Sequence, residues 1–472
     1  MEDFTYQDTE DYRDSIATVD KDGKRIWVYP KKPKGKYTSA RTYVSWVLLL
    51  FLFGIPFVKL NGEPFLLLNV LERKFIIFGL YFGPQDFNLL GLAMITLMVF
   101  IVLFTVVFGR LFCGWVCPQT IFMEMVFRKI EYWIEGDYTA QMRLNAAPWN
   151  REKIIKKVGK QVIFFLIAVL VANTFLSYII GVEEVIKIAS EPISMHLGGF
   201  TAMVLFSGAF YFVFSYMREQ VCIAICPYGR LQSVLLDKNS IVVTYDHVRG
   251  EPRGRIKKTK EPEAVAAAPQ GDCIACNLCV KVCPTGIDIR NGTQLECVNC
   301  TACIDACDEV MEKVNRPTGL IRYDSLAGIE EQRQKIFTPR VIAYSAVLTV
   351  LLALNVVFLT GRTSVETLVL RTPGMLYQEV DETHISNLYN YQIINKTDEV
   401  FPVSFKLASD IGRIKLVGNS PETKPNDMVE GAFFIERERD KLDGRKNTIV
   451  IEVYSNDELI DRIETNFLGP AK

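Results

Sequence analysis

Cys273-Ile-Ala-Cys276-Asn-Leu-Cys279-Val-Lys-Val-Cys283-Pro284, followed by Cys297-Val-Asn-Cys300-Thr-Ala-Cys303-Ile-Asp-Ala-Cys307-Asp308, decides the fold of the middle of the chain. Each run has the C-x2-C-x2-C-x3-C spacing of bacterial ferredoxins. Three thiolates on a tight loop can cap three corners of a four-iron cube, while the fourth cysteine reaches the neighbouring cube. The expected quartets are therefore Cys273, Cys276, Cys279 with Cys307, and Cys297, Cys300, Cys303 with Cys283. A pair of zinc knuckles is the competing reading, but a tetrahedral ion needs only four ligands and gains nothing from this crowding. Asp308 in place of a second proline alters only the local backbone. With all corners ligated by sulfur, two such clusters move electrons and offer no coordination site to a substrate.

Working outward, the chain has 472 residues, 49% apolar and 23% charged, with a net charge of -1. The charge balance gives no reason to expect a nucleic-acid partner, and the length suits two to four domains at roughly 100–200 residues each. Residues 87–109, 161–182, 196–217 and 341–360 carry no Asp, Glu, Lys or Arg. Each reaches the ~20 residues that span a bilayer. A fifth stretch, 43–60, contains Pro56 and ends near Lys59, whose amine could snorkel. Lys and Arg number nine in 1–42, two in 61–86, nine in 110–160, one in 183–195 and seventeen in 218–340. That alternation places the N-terminus, the 110–160 loop and the 218–340 region in the cytoplasm and 361–472 outside. The polar N-terminus suggests no cleavable signal peptide. The loop 61–86 reads as an amphipathic segment on the outer interface, with a charged wall for a quinone or redox partner as the alternative.

All twelve cysteines fall on the expected cytoplasmic side, so a disulfide framework is excluded there by the reducing compartment. Three histidines are too few for bis-histidine haem chains, and no CxxC precedes a His for c-type haem. The remaining four cysteines form a quasi-repeat: Gly109-Arg110-Leu-Phe-Cys113-x3-Cys117-Pro118 and Arg218-Glu-Gln-Val-Cys222-x3-Cys226-Pro227. Both follow a span, suggesting duplication of a two-helix element. Proline suits the first turn of a restarted helix, whose positive end is expected to lower thiol pKa values. Cys113, Cys117, Cys222 and Cys226 could together bind a soft ion such as Cu(I), act as redox dithiols, ligate a further cluster, or be inert core cysteines. Met123, Met125 and Met195-His196 are candidate copper contacts whose ordinary reading is packing. His247 and His384 show no partner in the sequence.

The expected plan is an N-terminal segment 1–42, a membrane domain 43–217, the second CxxxCP element 218–248, and a linker 249–272. A ferredoxin module 273–340, a fifth span 341–360 and an exterior domain 361–472 follow. The linker contains Lys257-Lys-Thr-Lys and a Glu-Ala-Pro stretch at 263–270, the composition of a tether. Its basic part could meet anionic lipid. The exterior domain alternates in short runs at 367–370, 389–395, 403–407, 413–417, 432–436, 448–453 and 462–467. Seven strands in about 100 residues suit an immunoglobulin-like sandwich. It holds 14 basic and 19 acidic residues, a net of -5.

The ordered set resembles the cytochrome c oxidase accessory proteins of the CcoG/FixG/RdxA family. The residues that carry the likeness are Glu72-Arg-Lys-Phe-Ile-Ile-Phe-Gly, Pro84-Gln-Asp-Phe, Cys113-Gly-Trp-Val-Cys-Pro-Gln-Thr and Arg128-Lys-Ile-Glu-Tyr-Trp-Ile-Glu-Gly. To these are added Arg218-Glu-Gln-Val-Cys-Ile-Ala-Ile-Cys-Pro-Tyr-Gly-Arg, Tyr245-Asp-His-Val-Arg-Gly-Glu-Pro-Arg-Gly and the double ferredoxin run. The resemblance implies a multi-pass protein of the bacterial inner membrane with two [4Fe–4S] clusters, a cytoplasmic ferredoxin module and a periplasmic Ig-like domain. It also implies a cupric reductase that supplies Cu(I), as substrate or bound ion, for assembly of cbb-type cytochrome c oxidase. Assembly factors, a copper chaperone or transporter, membrane lipid and a cytoplasmic electron donor are the implied partners, with a homodimer left open. A narrower likeness, to membrane ferredoxins of nitrate and nitrous-oxide reduction, supports a quinol- or flavin-linked conduit without copper. A non-redox assembly scaffold is the third reading.

Overall fold

The structure, a computed structural model, describes residues 18–19, 22, 24–60, 62–71, 74–83, 86–254, 271–361, 365–374, 376–397, 400–409, 412–418, 420–424, 427–442, 444–455 and 458–470. Residues 72–73, 84–85 and the tether at 255–270 lie outside that set. The chain divides into two compact units, Met1–Val58 with Gly91–Ala353, and Lys59–Leu90 with Leu354–Lys472.

Among the described residues five helices are long and apolar enough to cross a membrane: Lys36–Phe57, Phe87–Phe108, Arg151–Ile180, Leu197–Met217 and Pro339–Thr360. The third starts ten residues before the uncharged run because Asn150 caps it, accepting from the Lys153 amide. In the first unit Phe122, Phe127, Phe164, Val171 and Phe214 form the core between spans. Phe127 stacks on Phe214 at 4.7 Å between ring centroids and meets Phe164 edge-on at 4.8 Å. Leu50, Leu166, Leu205 and Val357 point outward and are exposed, an apolar surface suited to lipid.

The spans of the first unit rest on a buried ionic belt. Arg218 donates to both oxygens of Glu131, and Lys160 bridges Glu131 at 3.2 Å and Glu135 at 2.9 Å. Burial alone would raise the Glu131 pKa, but Arg218, then Lys160 and Arg128, hold it down at about 2. The first spanning helix starts at Lys36 without a capping side chain of its own. Instead Asp305 accepts from the amides of Tyr37 at 3.0 Å and Thr38 at 2.7 Å, and from the Thr38 hydroxyl at 2.6 Å. A carboxylate there satisfies orphan amides and complements the positive end of the helix. Asp305 sits on the helix Ala302–Lys313 of the cysteine-rich module, which is thereby fixed to the start of a span. That module is completed by the strand pair Val242–Tyr245 and Ile321–Asp324. The expected linker is folded at its start: the Gly254 amide donates to Cys273, and Arg249 holds Asp272 at 2.8 Å.

The second unit is a sandwich. One sheet contains Arg413–Val417, Met428–Glu438, His384–Asn395 and Val365–Arg371 in that order, and the other contains Ser404–Leu407, Lys446–Ser455 and Glu458–Leu468. Alternate residues of the strands bury Ile393, Phe433, Ile435, Ile451, Val453 and Phe467 between the sheets. All seven expected strands are present. The loop 61–86 contains structure that its apolar composition did not announce: Leu66–Asn69, Lys74–Ile77 and Leu80–Phe82 form an antiparallel meander. Its Leu67, Ile76 and Tyr81 pack on Ile394 of the sandwich, and Lys396 bonds Asp86 and Glu366, both at 2.8 Å. One apolar face of the loop is covered by the sandwich, while Leu68, Val70, Leu71, Phe78 and Leu80 remain exposed. The meander and the sandwich therefore form one packed unit.

Two measurements follow. Asp305→Ala removes the remote cap and costs about 1–2 kcal/mol of stability in thermal unfolding of the purified chain. Glu131→Gln strands Arg218 and Lys160 and costs about 3–5 kcal/mol at neutral pH. A carboxyl with a depressed pKa stabilises fully above its unfolded value, so the wild-type advantage is lost as the pH falls from about 4.5 towards 2.

Candidate metal centres

The two ferredoxin loops have the same backbone. Ala275 and Asn277 in the first, and Asn299 and Thr301 in the second, have positive φ of 52°, 57°, 52° and 63°. Such left-handed residues are rare outside glycine, and alternating with right-handed ones they turn successive amides inward as an anion nest of the kind that cradles Fe–S sites. Cys273, Cys276, Cys279 and Cys307 line one cavity, with Tyr245, Arg290 and Met311. Cys283, Cys297, Cys300 and Cys303 line a second, and Cys279 contributes to its wall as well. The structure thus gathers the quartets in the crossed pattern expected from the spacing.

Burial pushes the Cys279, Cys297 and Cys307 thiols up to about 12 and Cys300 to about 11. Left as thiols these sites are neutral, so a cationic metal is needed to draw the protons off. Fully buried Asn299 leaves its Nδ2 without a partner beside the Cys297 loop, a donor available to sulfur. Donor set, amide nests and orphan donor all fit [4Fe–4S] clusters. Among the described residues no three Cys, His, Asp or Glu side chains stand close enough to hold one ion. A tetrahedral ion with Zn–S bonds of about 2.3 Å would require tighter clustering than a cube does.

The CxxxCP elements are equivalent in hydrogen bonding as well as in sequence. The Cys117 amide donates to Phe112 and the Cys226 amide to Val221, each five residues back. Four residues before the first cysteine of each element stands a left-handed residue, Gly109 at φ 54° and Arg218 at φ 53°. The structural repeat thus pairs Gly109 with Arg218, one register away from the pairing of Arg110 with Arg218 that the basic residues suggest. Pro118 and Pro227 open helices, with Cys117 and Cys226 in the capping position. Cys113 and Cys222 are elsewhere: Cys113 lies in the short helix Leu111–Trp115, Cys222 in the π-helical turn Val221–Ile225. Contrary to the expected lowering, burial pushes Cys113 up to about 11 and Cys222 to about 12.

Cys113 and Cys222 each lie within electrostatic reach of the other three cysteines of this set. The Cys113 thiol donates to Gln232 Oε1 at 3.4 Å, and fully buried Gln232 leaves its Nε2 unpaired. Deprotonation of Cys113 would let that amide turn and donate. Cys113 and Cys222 pack against the buried cluster of Val282, Val298, Cys300, Ala302 and Ala306, which contains one cysteine of the second ferredoxin quartet. Gly114 lies so close to the carbonyls of Asn299 and Val298 that any side chain would collide with them. Arg41 donates to Gly114 at 3.0 Å and Cys300 at 2.7 Å, while Arg110 donates to Gly229 at 2.6 Å, Cys297 at 3.3 Å and Leu295. The Trp115 indole donates to Tyr323, whose hydroxyl donates on to Asn299. No local pattern marks Arg41, and only folding brings it to the cysteines.

The other candidates have ordinary partners. Met123 is buried in the core, while Met195 is exposed. His196 pairs with Glu191 at 2.6 Å, His384 with Asp381 at 3.0 Å, and His247 lies 3.8 Å from Glu330.

Comparison with known proteins agrees with this geometry. Residues 217–326 match the 4Fe-4S dicluster domain, 90–136 a 4Fe-4S binding domain, and 355–470 the Ig-like fold at the C-terminal of FixG. Protein RdxB of Cereibacter sphaeroides is 34% identical over 82% of this chain and 83% of its own length. RdxA of the same organism is 31% identical over 82% of each chain. Nitrogen fixation protein FixG of Rhizobium meliloti is 35% identical over 64% of this chain and 58% of its own. The chain therefore belongs to the FixG/RdxA/RdxB family of membrane iron–sulfur proteins.

Proposed function

We propose that this chain is a membrane oxidoreductase that reduces Cu(II) to Cu(I) for assembly of cbb-type cytochrome c oxidase. In this reading the ferredoxin module lies in the cytoplasm and the sandwich outside, following the Lys/Arg balance. The observation that carries it is the packing of Cys113 and Cys222 against the buried cluster that holds Cys300 of the second ferredoxin quartet. When bound, the [4Fe–4S] clusters supply one-electron transfer. Cys273, Cys276, Cys279 and Cys307 would hold one, and Cys283, Cys297, Cys300 and Cys303 the other. Copper is the substrate, gaining one electron beside Cys113, Cys117, Cys222 and Cys226, whose soft sulfur favours the cuprous product. Arg41 and Arg110 keep the two cysteine groups in register and set a positive charge beside the sulfurs.

A second reading has specific support. The match of 90–136 to a 4Fe-4S binding domain, and the lack of a three-donor site for one ion among the described residues, favour a further cluster at the CxxxCP quartet. The chain would then be a conduit of electrons without a copper role.

Iron and acid-labile sulfide in anaerobically purified protein separate the two: eight irons per chain fit the ferredoxin quartets alone, and twelve the conduit. Cys113→Ser and Cys222→Ser should lower cupric reduction at least tenfold while the ferredoxin signals in electron paramagnetic resonance persist. Unchanged reduction removes these thiols from the scheme, and no reduction by intact protein removes the copper role. Arg110→Gln should lower the potential of the nearer cluster by about 60 mV, a tenfold change in a one-electron equilibrium. Arg110→Lys, retaining the charge, should shift it less.

A further inference from the structure

A cavity of about 360 Å³ adjoins the second ferredoxin loop, lined by Lys32, Arg41, Glu124, Lys129, Tyr132 and Cys300 among others. Its size falls in the range of cofactor and small-molecule sites, roughly 300–1,000 Å³. Three of these side chains are cations. Glu124 is the one acid lining it among the described residues, and Glu124 is already engaged by Arg128 at 3.1 Å. Arg41 cannot swing away: it is buried and held by the carbonyls of Gly114 and Cys300. Lys32 and Lys129 are exposed and mark the open side, Lys129 resting on the Thr42 hydroxyl at 3.1 Å. Burial, with repulsion from Lys32 and Arg41, pushes the Lys129 ammonium pKa down, so the cations feel one another across the space.

Such a field repels Cu(II) and attracts an anion. The wall contributed by Cys300 belongs to a proposed cluster, so a redox-active occupant would stand beside an electron acceptor. A nicotinamide gives up a hydride, which a one-electron centre cannot take, and a neutral quinol would leave three cations unanswered. A reduced flavin carrying a phosphate meets both conditions.

We propose that this cavity binds flavin mononucleotide in its reduced, anionic form and is the entrance for electrons; the electron step, though not the binding, rests on the clusters of the proposed function. Oxidation of one reduced flavin anion to the oxidised flavin releases two electrons and one proton. One electron goes to each ferredoxin cluster, lowering it from 2+ to 1+, and the proton passes to water at the open side.

The test is a titration of flavin mononucleotide into the purified full-length protein, followed by quenching of flavin fluorescence. Saturable binding is expected, at least tenfold weaker for Lys32→Gln/Lys129→Gln, and at least tenfold weaker for riboflavin, which lacks the phosphate. In stopped flow, bleaching of the clusters by reduced flavin mononucleotide should saturate in the wild type and slow at least tenfold in the double variant. Bleaching by dithionite, retained in both, shows that the clusters are intact. Binding that is absent, or equal in both proteins, overturns the proposal. So does a phospholipid that co-purifies with the wild type, disappears from the double variant and is not displaced by flavin, since the cations then hold a lipid headgroup. If flavin binds as expected but dithionite-reduced protein fails to reduce copper, the proposed function falls and the cavity assignment stands.

Discussion

Two buried guanidinium groups hold the redox part of this protein together. Arg41 and Arg110, at the starts and ends of different spans, each donate to carbonyls of both cysteine-bearing regions. A planar fork of donors suits this task where a lysine would not, because it can satisfy separate acceptors at fixed angles. The ferredoxin loop and the membrane-edge loop expose backbone carbonyls to each other, and without these cations those groups would be buried unpaired at about 1–3 kcal/mol apiece. The same charges lie where thiolates gather. One pair of residues therefore serves packing and electrostatics together.

The duplicated CxxxCP elements reproduce a conformation and differ in support. Glycine reaches positive φ at no steric cost, whereas Arg218 adopts it as a side-chain-bearing residue at a cost of order 1–3 kcal/mol. Its ion pair with Glu131 anchors it there. The first copy thus meets the turn through the choice of residue, and the second through a contact with a neighbouring helix.

Features encoded within a short stretch were legible in the sequence. The crossed quartets follow from cysteine spacing, the helices from uncharged length, and the sandwich from alternation in its seven strands. Features made by residues far apart were not. Asp305 and Tyr37 are 268 positions apart, Arg41 and Cys300 are 259 apart, and Lys396 and Asp86 are 310 apart. The meander was not legible for the same reason, since the residues of 66–82 that cover the sandwich and those left exposed look alike until the partner is known. The pKa expectation failed at Cys113 and Cys222 because proline marks where a helix begins, while depth of burial depends on what later folds over it.

The remote cap on the first spanning helix has a consequence for biogenesis. Ribosomes deliver Tyr37 and Thr38 long before Asp305, so the anchor enters the bilayer with its leading amides still bare. They are satisfied only when the helix bearing Cys303 and Cys307 has formed. Final seating of the anchor therefore waits on a helix synthesised some 268 residues later.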